Sequence, residues 1–584
     1  MDVSLGGSGD LQKRKSHRRG LLGALALALG LVAATPSCSV IVDTSTEQCN
    51  EQTACPSGYK CDASNVCVAD NASACSKTSE CGLDDICRKD PGATTGVCKP
   101  VRSPLCQTIE GDYRAENAFV IGSIHPTTAP APDDVIGLSM ENSIRLALND
   151  LKKTLNGLPN VSGQTGTRRV VMVGCSDEGL EEKSVEAANH LIDNVGVQAI
   201  IGGAFSGIAI KTATEVTIPK GVLFISASAT SVSIGQIDDT PEGFPAGLLW
   251  RTVPSDAFQA EAIAAYVPQL ESEIRAELGM QSTDKIKIAV LHKGDAYGSG
   301  LKDALQKSLV FNGVPAIDNG ASNYIVLDYG NPDDVMANPT KYGEAQDAAI
   351  MAGAHIILLF GTGEAITEIF APIELGWGTA AYRPRYVFSE ANFSGALADT
   401  INAESNAAAR ADWRRRTTGV LPGPQDDDNL YKAFRFSYSS VYGQGQGDPS
   451  IFGAASAYDA AYLLFYAAAT VQNGVLSGQN LALGMTKMSA ANPVGASVDV
   501  GAEDLGETLK ALLSKDPMKK YESIDYNGAF GPLNFDPATG EPAANVQIFC
   551  LADDGTGKAA HQLSGAYYDA DTKTIAGTAA AACQ

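Results

Sequence analysis

Residues 224–231 read FISASATS, an apolar run that breaks into four hydroxyl side chains, Ser226, Ser228, Thr230 and Ser231. Hydroxyls this dense at a strand end serve a nucleophile, a phosphate loop or a set of ligand donors. A nucleophile needs a base and an oriented acid beside it. The chain holds no G-x-S-x-G elbow, no P-loop and no H-E-x-x-H pair. Its six histidines are scattered; His125 and His292 lie near strand ends but lack metal-ligand spacing. The stretch GTGEAI (361–366) lacks the third glycine of a dinucleotide fingerprint. These residues therefore predict binding without catalysis, with no cofactor and no metal. Ser206, in AFSG (204–207), stands where a strand hands over to a helix. The free N–H groups and dipole of a helix start suit an anion there. A plain N-cap role explains the same serine.

Cysteines are the second reactive set. Cys49, Cys55, Cys61 and Cys67 recur with five residues between each, and Cys75, Cys81, Cys87 and Cys98 repeat the pattern with a longer last gap. CPSGYKC and CGLDDIC are one element used twice, too poor in apolar residues to fold on a core alone. Structural zinc sites use two to four residues between paired cysteines, so spacing of five behind an export signal predicts disulfides. Cys106, Cys175, Cys550 and Cys583 allow two more, and all pairings are open. The total of thirteen is odd. Lipidation of Cys38, after TPS in a degenerate lipobox, leaves an even set; ordinary cleavage near residues 32–34 would leave Cys38 a thiol.

The export signal itself is a basic segment with Lys13, Arg14, Lys15, Arg18 and Arg19, followed by the apolar run LLGALALALGLVAA (21–34), too short to span a bilayer. A net charge of −24 excludes a nucleic-acid partner, because such a surface repels phosphate backbones.

The elements that must position these residues begin at 118. AFVIGSI, RVVMVGC, VQAIIGGA and GVLFISAS are continuously apolar strands separated by amphipathic helical stretches, one with Val185, Ala188, Leu191, Ile192 and Val195 on a single face. Uninterrupted apolar strands with short connections predict a doubly wound parallel sheet covered on both faces. A second run of the same kind follows 248–267. Two α/β lobes imply a cleft, with ligands at the carboxyl ends of the strands.

IIGGAFSG, ISASAT, WRTVPSD, VLHKGDAYGSGL, LLFGTGEA and YNGAFGPLNFD occur in that order. Over about residues 117–555 the chain resembles the type I periplasmic binding proteins of the leucine/isoleucine/valine-receptor family, the solute-binding partners of ABC importers. The resemblance implies two lobes joined by three crossovers. It also implies that Ser206, Ser228 and Thr230 bind a ligand α-carboxylate, that Glu390 in VFSEANF binds its ammonium, and that Tyr297 lines the second lobe. Gly363 and Glu364 stand where an aromatic wall is expected, which enlarges the side-chain pocket. Glu364 favours a second cation or simply suits a helix start. Inserts fall around 326–346 and 488–520.

We read 1–37 as a lipoprotein signal, 38–110 as the cysteine-rich module with its linker (99–117 reads as linker), and 111–584 as the binding region. One lobe takes 117–253 and 421–530, the other 254–420 and 531–584. The expected function is capture of an amino acid or related zwitterion for ABC-type import, at the periplasmic side or cell surface and on a lipid anchor. The alternative is a surface sensor or interaction receptor without a transporter.

Overall fold

The computed structural model describes residues 49, 55, 59–61, 65–69, 74–160, 166–378, 382–424, 428–443, 445–471, 475–488, 496–516, 518–580 and 583. The signal segment 1–37 and Cys38 lie outside the described residues. The chain divides into two compact units, Met1–Ala69 and Asp70–Gln584. In the first, Tyr59–Cys61 pairs antiparallel with Cys67–Ala69, and disulfides join Cys49 to Cys61 and Cys55 to Cys67.

The second unit opens with the other copy of the module. Its disulfides, Cys75–Cys87 and Cys81–Cys98, join first to third and second to fourth cysteines as in the first copy. Sulfurs bound to each other are not thiolate ligands, so both copies are disulfide knots. This second copy and the segment after it are part of the α/β body. Val101 and Cys106 are fully buried, and Ile86 and Leu105 share a core with Ala187, Leu191 and Val195. Thr108–Glu110 pairs antiparallel with Val170–Ser176, and Cys106 is bonded to Cys175. The stretch 99–117 is therefore not a free linker. Its few apolar residues are spaced without periodicity, so composition hid their burial.

Two sheets form the body. The first runs Leu249–Arg251, Leu223–Ser226, Ala199–Gly202, Phe119–His125, Val170–Ser176 and Thr108–Glu110, parallel but for the last strand. The second runs Tyr324–Asp328, Ile288–His292, Ile356–Phe360, Arg385–Phe388 and Thr417–Pro422 in parallel, then Val546–Asp553, Ala559–Asp569 and Thr574–Gly577 antiparallel. Each parallel set has the order 2-1-3-4-5, whose direction of winding reverses between its first and third strands.

Helices cover both faces of each sheet, which is why the strands read as unbroken apolar runs. The helix Ala454–Thr470 returns the chain to the first sheet and packs on Asp133–Leu155; residues 454–469 are all buried. A helix apolar all round belongs in an interior, and its alanines allow close approach. The chain crosses between lobes at 252–256, again after Pro422, and finally between the hairpin Asn534–Asp536/Glu541–Ala543 and Val546. No helix among the described residues is long and apolar enough to cross a membrane.

Candidate functional site

Both reversal points open toward the same interlobe space. On the first lobe, Ala199–Gly202 turns through Gly203, whose φ of +72° suits glycine and where a Cβ would sit 2.8 Å from Ala209 Cα. That tight turn delivers Ser206 to the first position of the helix Ser206–Thr212. Ser206 Oγ accepts the Ser231 N–H at 3.2 Å, and its own proton meets no acceptor among the described residues. The next strand, Leu223–Ser226, ends in the serine-rich loop. Ser226 Oγ donates to the Gly203 carbonyl at 3.0 Å and accepts from Ala229 N–H, so it ties the two loops together. Ser228 donates its single proton to the Ala204 carbonyl at 2.7 Å. Thr230 is buried and points across the cleft. Ser231 also crosses it: its hydroxyl donates to the Ala296 carbonyl at 2.8 Å.

On the second lobe, Asp295 caps the helix Ala296–Ser308 by accepting Gly298 N–H at 2.8 Å, and this sets Tyr297 on the cleft side. Strand Arg385–Phe388 leads into a single 3-10 turn, Glu390–Asn392. Glu390 is only 3% exposed. It accepts the Tyr297 hydroxyl at 2.6 Å and the Thr230 hydroxyl at 3.4 Å, one from each lobe. No cation lies against it among the described residues. Burial raises the Glu390 pKa, opposed by these hydrogen bonds.

Sequence reasoning missed the support behind this cluster. Asp256 starts the helix Asp256–Leu278 at the first crossover and is fully buried. Its Oδ1 accepts from Gln259 Nε2 at 2.8 Å, and its pKa is driven up by burial and then by Glu390. Arg251, 1% exposed, donates to the carbonyls of Ala229 (3.2 Å) and Ser231 (2.9 Å) and pairs with Glu541. One guanidinium thus holds the serine-rich loop and the third crossover together. The only sequence trace of it was a charge directly after an apolar strand.

The outer end of the cleft is acidic. Gly363 faces Pro132 of the first lobe; a Cβ at Gly363 would lie 3.6 Å from Pro132 Cγ. Glu364 accepts from Tyr329 Oη at 2.8 Å and Thr362 N–H at 3.0 Å, and also contacts the Thr362 hydroxyl. Lys293, 3% exposed, pairs with Asp333 and lies 3.4 Å from Asp295. Asp133 lies in the first turn of the helix Asp133–Leu155; its backbone N–H donates to the Pro130 carbonyl at 3.1 Å, and its carboxyl makes no hydrogen bond or ion pair among the described residues. Burial first, then Asp333 across the cleft, raises its pKa to about 6. Asp177, fully buried, accepts Gly179 N–H on Oδ1 at 3.0 Å and leaves Oδ2 without a partner among the described residues; burial raises it to about 7.

Two sheets that both wind 2-1-3-4-5, joined by three crossings and meeting over strand-end hydroxyls and a buried acid, are matched by known proteins. Residues 119–556 match the family described as Periplasmic binding protein. The chain belongs to the type I periplasmic binding proteins, in the leucine/isoleucine/valine-receptor family. The Leu/Ile/Val-binding protein BraC3 of Rhizobium johnstonii is 27% identical over 203 residues, 35% of this chain and 47% of that protein. The Leu/Ile/Val-binding protein homolog 3 of Brucella melitensis is 25% identical over 199 residues, 34% of this chain and 46% of that protein. The chain thus spans less than half the length of these relatives. The substrate-binding protein LivJ of Streptococcus pneumoniae, solved with isoleucine, shares the fold at 16% identity and a TM-score of 0.50 over 76% of this chain and 99% of that one. A solute-binding protein of R. palustris, solved with benzoate, does so at 17% identity and 0.50 over 80% and 98%. Members of this periplasmic binding protein family are substrate-binding proteins that act outside the cytoplasmic membrane.

Proposed function

We propose that this periplasmic binding protein captures an amino acid or related zwitterion between its lobes and presents it to an ABC-type permease. It would be exported by the segment 1–37 and anchored through a lipid on Cys38. The observation that carries the reading is Glu390, a carboxylate buried at the lobe junction, bonded by one hydroxyl from each side and without a cation among the described residues. A buried charge without a partner costs several kcal/mol, and a ligand ammonium supplies that partner.

The ligand's α-carboxylate would lie at the first-lobe loops. Ser206 is the favoured donor, because its oxygen already accepts from Ser231 and its proton is free. Thr230 borders carboxylate and ammonium alike. Ser228, whose proton is committed to Ala204, holds the loop behind them. Tyr297 orients Glu390, while Gly363 and Glu364 border the side-chain end. Ligand bridging the lobes favours their closed arrangement, since only that state offers both sets of contacts.

The test is thermal-shift screening of the protein against amino acids, small peptides, amides and sugars, followed by titration of the hits. Ser206→Ala and Thr230→Ala should each weaken an amino-acid ligand by about tenfold, the worth of one hydrogen bond to a charged group. A neutral sugar as the sole ligand, or unchanged affinity in both variants, would refute the reading.

A further inference from the structure

Positive charge collects at the amino ends of the first lobe's strands. A cavity of about 470 Å³ lies there, between the second copy of the cysteine module and the sheet. It touches Phe119 and Val120 at the start of Phe119–His125, Arg168 two residues before Val170–Ser176, and Gln198 directly before Ala199–Gly202. A seven-residue strand is about 20 Å long, so this cavity is separate from the cleft at the carboxyl ends. Its other wall comes from the longer last gap of the second cysteine repeat. The disulfide Cys81–Cys98 has a sequence separation of 17 where its counterpart Cys55–Cys67 has 12. The first copy closes the same pairing without the extra length, and the longer gap places Lys89, Asp90, Pro91 and Ala93 on the cavity.

Four cations line it, Lys77, Lys89, Arg114 and Arg168, against two acids, Asp90 and Glu116. The whole chain runs the other way, with 67 acidic residues to 43 basic. Three of the four cations pair with no carboxylate among the described residues. Lys89 Nζ donates to the Ser76 carbonyl, and Arg114 donates to the carbonyls of Gly82 (2.7 Å) and Cys81 (3.3 Å). Neutral acceptors fix these two side chains and leave their charge uncompensated. The Arg168 guanidinium makes no hydrogen bond or ion pair among the described residues; burial lowers its pKa and no acid opposes that. Lys77 lies 3.7 Å from Glu116, and Asp90 is already held by Arg88. The helical stretch that ends at Val195 brings about half a negative charge to the same cavity. Four cations less two acids outweigh it. Ile86, Val195 and Leu476 add apolar lining.

We infer that this cavity binds a small phosphate monoester with an apolar body. A monoester carries about two negative charges at neutral pH, which matches the excess of cations. Its three strong acceptor oxygens suit the planar fork of Arg168 and the remaining protons of Lys89. A soluble ester and a lipid headgroup ending in a phosphate monoester offer the same chemistry. The site stands whether or not Glu390 binds an ammonium, because the two lie at opposite ends of the strands.

Phenyl phosphate and phenol separate the phosphate from the apolar body. Calorimetric titration of the whole protein at neutral pH and low salt should show phenyl phosphate binding and phenol not, and added salt should weaken the binding. Arg168→Gln removes a side chain that holds nothing else in place. Its melting temperature should match wild type while phenyl phosphate affinity falls by about tenfold or more. Lys89→Gln should lower that affinity as well. Flotation with phosphatidylcholine vesicles, with and without phosphatidic acid, identifies the source. A gain that needs both phosphatidic acid and Arg168, without binding of the soluble ester, assigns the site to a headgroup. Phenol binding as tightly as phenyl phosphate would overturn the inference. So would phosphate binding that survives Arg168→Gln and Lys89→Gln together, or no binding of either phosphate.

Discussion

Replacing Glu390 by glutamine separates a ligand contact from a structural bond, because the two roles move stability and affinity in different directions. The side chain is 3% exposed and accepts hydroxyl protons from Tyr297 at 2.6 Å and Thr230 at 3.4 Å. Glutamine keeps the shape and one acceptor but removes the charge. In the unliganded protein that charge is a cost, since burial opposes ionisation and Asp256 lies close enough to be raised by it. The variant should therefore melt at or above the wild-type temperature without ligand. With ligand, the ammonium loses its partner, and deleting one member of a buried ion pair costs about 3–5 kcal/mol, or roughly two to three and a half powers of ten in affinity. Titration calorimetry with an amino-acid hit, alongside melting of the free protein, measures both. Wild-type affinity should also rise with pH as Glu390 ionises, and glutamine should flatten that rise. A variant that melts lower and binds as well as wild type would show that Glu390 serves only to tie Tyr297 and Thr230 together.

Other perturbations probe the frame. Asp459, fully buried in the helix Ala454–Thr470, accepts from Ala529 N–H, Phe530 N–H and Tyr526 Oη; Asp459→Ala leaves these three donors stranded and should cost about 3–5 kcal/mol in urea denaturation. Cys106→Ser opens a loop of sequence separation 69 and should cost about 4 kcal/mol on the chain-entropy model, read as a lower melting temperature under oxidising conditions. Asp133 at about 6, and Asp177 and Asp459 at about 7, all lie above the carboxyl values of an unfolded chain. The folded state thus binds more protons, so unliganded stability should fall as pH rises from 5 to 8, which melting curves across that range measure.

The sequence carried the local part of this design. Continuously apolar strands and the helical face of Val185, Leu191 and Ile192 are short-range patterns, and they led to two α/β lobes. The duplicated cysteine spacing led to disulfide knots for the same reason. The ordered motifs led further, to Ser206, Thr230, Tyr297 and Glu390. Tertiary structure decided what those residues touch. Thr230 meets Glu390 across 160 residues, Ser231 meets Ala296 across 65, and Arg251 meets Glu541 across 290. No periodicity reaches over such separations, because it records only which face of one element is buried. Only folding could show that Ser228 spends its proton on Ala204, that 99–117 is stitched into the first lobe, and that Asp133 faces Asp333 of the second lobe. Charge in a sequence has a sign but no neighbour. The neighbour, and with it the cost of burial that makes an acid seek a cation, exists only once the lobes meet.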